Sequence, residues 1–190
     1  MYNPIEDRRS IRSFSDRDVP DETIRALIAA GTKAPSSKNR QPWRFTVVRG
    51  AAKQGMLDAF AEGLQREERQ PLLPGSKQHL AGARYTHAIM KQAPVTVFVL
   101  NTLGQDLYQN RSPEEKMYDL ANVQSVGAAI QNILLAATNR GLAASGSATS
   151  FLPMRSCAAG CRRTGSWLPP LRWAIRWKPP THGRAKSWTM

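Results

Sequence analysis

Ala34-Pro35-Ser36-Ser37-Lys38-Asn39-Arg40-Gln41-Pro42-Trp43-Arg44-Phe45 is the stretch on which the fold turns. Its first half is polar, short in side chain and bounded by prolines. Its second half opens a run, Arg44 to Val48, rich in aromatic and β-branched residues. Short hydroxyl and carboxamide side chains hydrogen-bond nearby backbone and favour turns, so residues 36–42 read as a polar loop that delivers Trp43 into a strand. The same groups are suited to hydrogen-bonding a polar heterocycle, with an aromatic anchor behind it. Taken alone, the loop fits an ordinary capped turn equally well.

Upstream, a helix is expected to begin near Asp21, with Ile24, Leu27 and Ile28 on one face, and to end before Ala34-Pro35, because the residue before proline avoids helical angles. A short helix from Pro4 to Arg9 leads into an extended Ile11–Phe14. Arg8-Arg9-Ser10-Ile11-Arg12 then gathers three guanidinium groups and a hydroxyl within five residues, a set suited to phosphate because planar forks bind its oxygens bidentately. A solvated basic turn has the same composition.

Downstream, residues 51–69 read as a surface-charged helix, residues 70–76 as a break carrying Pro71, Pro74 and Gly75, and the following residues as a helix to about Gln92. Pro94 to Leu100 is nearly all apolar, the pattern of a central strand covered on both faces. Ser112-Pro113-Glu114-Glu115 supplies an N-cap, a first-turn proline and a capping-box glutamate. The helix it starts, Pro113 to Asn139, spans about 40 Å at 1.5 Å per residue. Met117, Leu120, Ile130, Ile133 and Leu134 recur along it at helical spacing, and its middle (Gln124, Ser125, Gly127 to Ala129) is small enough for close approach of a helix or ligand. The small middle and apolar ridge predict a homodimer interface.

The 190 residues fit one domain, and 41% hydrophobic content is ordinary for a soluble globule. No window approaches 18 uninterrupted apolar residues, and the charged start, MYNPIEDRRS, lacks a leader's apolar stretch, so a cytoplasmic protein without membrane contact is expected. Cys157, Cys161 and a distant His182 are too few for a tetrahedral zinc site, so no metal is expected. The net charge of +13 is unevenly spread. Residues 1–142 carry 19 basic and all 14 acidic residues, whereas residues 143–190 carry eight basic residues and no acid, with four of the five tryptophans.

Arg8 to Phe14, Ala34 to Ser37 and Asn39 to Phe45, followed by Ala93-Pro94-Val95 and by Ala121 to Ala137, together resemble the nitroreductase family over about three quarters of the chain. The resemblance implies an α+β fold with a mostly antiparallel central sheet flanked by helices. It also implies an intertwined homodimer with two FMN sites at the subunit interface. Residue by residue, Arg8, Arg9, Ser10 and Arg12 match the positions that hold the FMN phosphate, ribityl chain and ring edge. Ser37, Asn39 and Gln41 match the loop that reaches FMN, in part from the partner subunit. Arg12 would tune the flavin, since a cation near its N1/O2 edge stabilises the reduced form. The implied chemistry is hydride transfer from NAD(P)H through flavin N5 to a small electron-poor acceptor such as a nitroaromatic or quinone. No catalytic side chain is assigned, because the cofactor performs the chemistry and the protein positions it. The absence of a G-x-G-x-x-G fingerprint agrees with NAD(P)H binding over the flavin. Relatives use the same scaffold for dehalogenation or flavin breakdown.

The resemblance stops near Leu142. There the family has a Gly-rich turn, a helix, a strand ending in Gly-Tyr-Pro and a basic segment that touches the flavin phosphate; this chain has 48 acid-free residues. Back-translating Trp173-Ala174-Ile175-Arg176-Trp177-Lys178 and reading from the third base of each codon gives Gly, codons that permit Tyr and Pro, one of Met, Leu or Val, and then Glu. That is the family's Gly-Tyr-Pro, and one missing base near Leu142 suffices. Residues 1–142 are therefore expected to form an incomplete FMN-binding domain, and residues 143–190 an out-of-frame tail that is irregular and weakly packed. On that reading the molecule lacks its last core strand.

Two readings compete with a flavoenzyme. One is an inactive, cofactor-free frameshifted product. The other is a basic nucleic-acid-binding protein, with the Arg/Trp interleaving of residues 162–188 stacking bases and contacting phosphates. The second fares worse, because the charge excess lies in the tail and not in the part that reads as folded, so no nucleic-acid partner is expected.

Overall fold

A computed structural model of the chain describes residues 3–71, 75–104, 110–147 and, as backbone, 172–178. The protein is α+β: a four-stranded sheet of order β1-β2-β4-β3, antiparallel at every pairing, with helices on both faces. The strands are β1 (Trp43–Arg49), β2 (Val95–Asn101), β3 (Ala143–Ser147) and β4 (Arg172–Lys178). The helices are α1 (Pro4–Asp7), α2 (Asp21–Thr32), α3 (Ala52–Arg69), α4 (Leu80–Gln92) and α5 (Pro113–Asn139).

β2 is central, as its apolar run predicts. Successive side chains of a strand point to opposite faces. Val95, Val97 and Val99 accordingly join α2 and α5 in the larger core, with Leu27, Val126, Ala129, Ile130 and Ile133, while Phe98 joins Met56, Phe60, Leu64, Ala83 and Met90 of α3 and α4. α3 thus has a buried apolar face opposite the charged one that its sequence advertises. α2 lies close against α5: a Cβ on Gly31 would sit 2.7 Å from Ile133 Cδ1 and 3.2 Å from Phe45 Cζ. Arg49, at the end of β1, ties that strand to the start of α2 through Asp21 at 2.6 Å.

The start of α5 is built as the sequence dictates. Glu115 N–H donates to Ser112 Oγ at 3.2 Å, and Ser112 N–H donates to Glu115 Oε2 at 2.9 Å. The Ser112 backbone N–H, and after it the Ser112 hydroxyl, hold the Glu115 carboxyl below its ordinary pKa. α5 is, among the described residues, the one helix long and apolar enough to cross a membrane by length and composition, and here it packs against the sheet and α2.

Three expectations need correction. α1 ends at Asp7, because Arg8 turns extended (φ −61°, ψ 127°) and only caps the helix with its N–H. Ile130 and Leu134 of α5 lie in the chain's own core, because the sheet and α2 already cover that ridge; the exposed apolar residues of the helix are Met117 (71%) and Leu120 (60%). Finally, the region after Leu142 is not irregular throughout. Ala143–Ser147 and Arg172–Lys178 both enter the sheet, and β4 lies between β2 and β3. The physical reason is in the sequence: Arg172 to Lys178 places Trp173, Ile175 and Trp177 at every second position, a strand period with residues of high β-propensity. β2 offers an unpaired ladder edge for such a segment. The sheet therefore has a strand from this region, where an irregular tail was expected.

Candidate functional site

The arginine-rich segment runs beside β3. Ser10 bridges Ala144 in parallel, and Ile11 N–H donates to the Ala144 carbonyl at 3.2 Å. Arg9 is committed locally, its guanidinium donating to the carbonyls of Glu6 and Arg8. Arg8 is half-buried and Arg12 exposed; neither makes an ion pair or side-chain hydrogen bond among the described residues. Two guanidinium groups without an anion, beside an exposed hydroxyl, form a ready acceptor of phosphate.

The second predicted group sits on the loop before β1. Ser37 to Asn39 form a single 3₁₀ turn, and Lys38, Asn39 and Gln41 all adopt left-handed backbone, with φ of 52°, 52° and 47°. Non-glycine residues rarely adopt this conformation, and it costs about 1 kcal/mol or more each. Local bonds hold it: Gln41 N–H donates to Ser36 Oγ at 3.0 Å, and Gln41 Nε2 donates to Asn39 Oδ1 at 3.0 Å. Ser37 N–H donates to Ser125 Oγ at 3.2 Å, and Ser125 donates in turn to the Ala121 carbonyl, which anchors the loop on the small middle of α5. The Asn39 and Gln41 side chains remain exposed.

These two groups do not meet within one chain. Thr102 N–H donates to the Pro42 carbonyl, placing the loop at the Asn101 end of β2 on the β1 edge. Ala144 pairs with Trp177, one residue beyond the Arg176–Thr96 pair, so the arginine segment lies at the Val95 end and beyond the opposite edge. At 3.4 Å per residue and 4.8 Å per strand, the separation is roughly 20 Å along the strands and roughly 20 Å across them.

A constellation not foreseen from the sequence lies beside the loop. Arg40 Cζ stands 4.5 Å from the centroid of the Tyr118 ring and Lys38 Nζ stands 4.9 Å from it, with Lys38 also 3.4 Å from the Tyr118 hydroxyl. A cavity of about 420 Å³ opens there, lined by Arg40, Leu103, Glu115, Tyr118, Asp119 and Asn122. Arg111 donates to Asp119 Oδ2 at 3.2 Å behind it. The signal that would have found this site is a polar stripe on an otherwise apolar helix: Glu115, Asp119 and Asn122 fall at i, i+4 and i+7. Cys157, Cys161, His182 and the Arg/Trp-rich residues flanking β4 lie outside the described residues. Among the described residues no cluster of three or more potential metal ligands occurs.

A long core helix packed under an antiparallel sheet, with helices on both faces, defines the α+β class. The chain belongs to the Nitroreductase family, whose profile matches residues 5–152. It is 34% identical over 146 residues to the 5,6-dimethylbenzimidazole synthase of Rhodospirillum rubrum, which covers 71% of this chain and 62% of that protein. It superposes with a TM-score of 0.68 on a nitroreductase-type protein of Desulfovibrio desulfuricans in complex with FMN, at 26% identity over 98% of this chain and 90% of that one. The FMN-dependent nitroreductase NfnB of Mycobacterium smegmatis, in complex with NADPH, shares the fold with a TM-score of 0.66 at 21% identity, over 95% and 92% of the two chains. The chain therefore spans less than two thirds of the length of the synthase that it matches.

Proposed function

We propose that this protein is a cytoplasmic FMN-dependent oxidoreductase, built as a homodimer, that uses NAD(P)H to reduce a small electron-poor acceptor such as a nitroaromatic or quinone. The observation that carries the reading is the pair of unneutralised guanidinium groups of Arg8 and Arg12 beside Ser10, a donor set that fits a flavin phosphate and ring edge. The exposed side-chain amides of Asn39 and Gln41, with Ser37 on the same turn, fit the heterocycle. FMN, when bound, would supply the hydride-accepting N5. The protein's part is to orient the ring, to hold cationic charge at its edge through Arg12, and to leave one face open to two substrates in turn.

The separation of the two residue groups supports a site completed by a second copy. Met117 and Leu120 on α5 and Ile5 on α1 leave large apolar side chains in solvent in a single chain, 60–73% exposed, which is the kind of surface a partner covers. The purified protein is expected to be yellow, with one FMN per chain, and to sediment as a dimer. Leu120→Glu is expected to shift it to monomer and release flavin in the same step. A monomer that keeps its flavin would overturn the shared site.

We further infer that residues 143–190 are translated out of frame. The absence of acids after Leu142 supports this, and the family match ends a short way beyond, at residue 152. β4 then fills the slot of a family strand with a segment never selected for it. Insertion of one base near the Leu142 codon is expected to raise flavin content, solubility and Tm together; a restored protein that gains none of the three would refute the reading.

A further inference from the structure

We propose that Phe14 is a positioning residue: on the reading of the chain as an FMN protein, its buried ring fixes the backbone from which Arg12 reaches the flavin edge.

The segment that carries the arginines is tied on both sides of Arg12. One residue before it, Ile11 N–H donates to the Ala144 carbonyl of β3 at 3.2 Å. Two residues after it, Phe14 is 9% exposed and forms with Ile89 and Ala93 a small buried cluster of its own, apart from the two larger cores. Ile11, Arg12 and Ser13 are exposed, and residues 11–15 form no helix or strand. A buried aromatic ring on such a segment holds the segment down. The anchor itself is firm. Ile89 belongs to the last turn of α4, and Ala93 caps that helix, its N–H donating to the Ile89 carbonyl at 3.1 Å. Pro94 and the central strand β2 follow directly, so Phe14 refers the arginine segment to the best-buried strand of the sheet.

Chain length decides between Phe14 and the other tie on this segment. Arg49 donates to the Val19 carbonyl at 3.1 Å, seven residues beyond Arg12. An extended chain covers about 3.3–3.6 Å per residue, so that tie leaves Arg12 a tether of roughly 25 Å, whereas Phe14 leaves one of about 7 Å. Only the nearer anchor restricts where the Arg12 backbone goes. Its guanidinium has no ion pair among the described residues, so the backbone is what delivers it. A cation presented in place costs less ordering on binding than one on a loose segment. Arg8 lies on the far side of the Ile11 tie, and Phe14 has no such hold on it.

A double-mutant cycle tests the coupling: wild type, Phe14→Ala, Arg12→Ala and the double variant, each titrated with FMN and each melted. Phe14→Ala is expected to weaken FMN about tenfold beside an intact Arg12 and less than about twofold in the Arg12→Ala background. Combined with Arg8→Ala, its effect should simply add. The bound flavin should become harder to reduce in Phe14→Ala, as in Arg12→Ala, because the cation is no longer held at its edge. Phe14→Leu keeps an apolar anchor; its expected loss is about threefold, and it carries the cycle if the alanine variant does not fold. A merely structural Phe14 would lower Tm, weaken FMN by the same factor in all three backgrounds and leave the flavin potential unchanged. That result, or wild-type FMN affinity in Phe14→Ala, overturns the proposal. Wild-type protein that binds FMN in an Arg12-dependent way while the cycle is additive fails this inference alone; wild-type protein that binds no FMN fails the flavin reading and this role with it.

Discussion

Arg8→Ala combined with Arg12→Ala is expected to yield a colourless protein that remains folded. Each charge-assisted contact to a phosphate or flavin edge contributes about 1.5–3 kcal/mol, so two of them lost together weaken FMN by about 10²- to 10⁴-fold. The fold should not follow, because neither guanidinium has an ion-pair partner among the described residues and Arg12 is exposed; surface changes of this kind usually stay within about 0.5 kcal/mol. Flavin absorbance per chain and the apo-protein melt measure the two quantities separately. A double variant with full FMN content would remove these arginines from the site. Arg17→Ala combined with Arg25→Ala, both on exposed side chains, serves as a charge-matched control.

The second large effect belongs to the core. Ile133 is fully buried where α5 meets α2 and β1, and Ile133→Ala is expected to cost about 2–5 kcal/mol, out of the 5–15 kcal/mol typical of a whole domain. Gly31 makes the test sharper. Gly31→Ala alone drives its new methyl into Ile133 Cδ1 and Cγ1, at 2.7 and 2.8 Å, and overpacking of that kind costs about 1–3 kcal/mol. In the Ile133→Ala background both clashing atoms are gone and only Phe45 Cζ, at 3.2 Å, stays near. There the same substitution should be neutral or recover up to about 1 kcal/mol through better helix propensity. Denaturant melts of the four proteins give the coupling directly. Additive effects would mean that the two residues do not share one space.

Local chemistry explains which parts of this molecule were readable in advance. The capping box at Ser112 and Glu115, the proline-terminated α2 and the two-sided apolar run of β2 each depend on neighbours in sequence, and each formed where the residues placed it. Pairing partners were another matter. That Ser10 would lie beside Ala144, more than a hundred residues away, follows from how the sheet closes and leaves no trace in either segment. Arg8, Arg12, Asn39 and Gln41 were legible as a set through family resemblance, whereas their separation within one chain needed strand order and register. The Tyr118 cavity was missed for a different reason. Its polar residues sit on a helix whose apolar ridge dominates any periodicity, and Lys38 and Arg40 reach it only because the loop adopts left-handed angles that their residue types do not announce.

β4 joins the sheet last in sequence and in the middle in space. On a ribosome, β1, β2 and every helix among the described residues are complete before Arg172 appears, yet β3 has no strand between itself and β2 until then. The nascent chain must wait with the inner edge of β2, its most apolar strand, facing open water. Such an edge pairs readily with whatever strand arrives first, including that of a neighbouring chain. The order of synthesis therefore predicts a yield of folded protein that falls as chain concentration rises. Slowing translation before β4 should lengthen that exposure, and chaperone engagement should concentrate in the same interval.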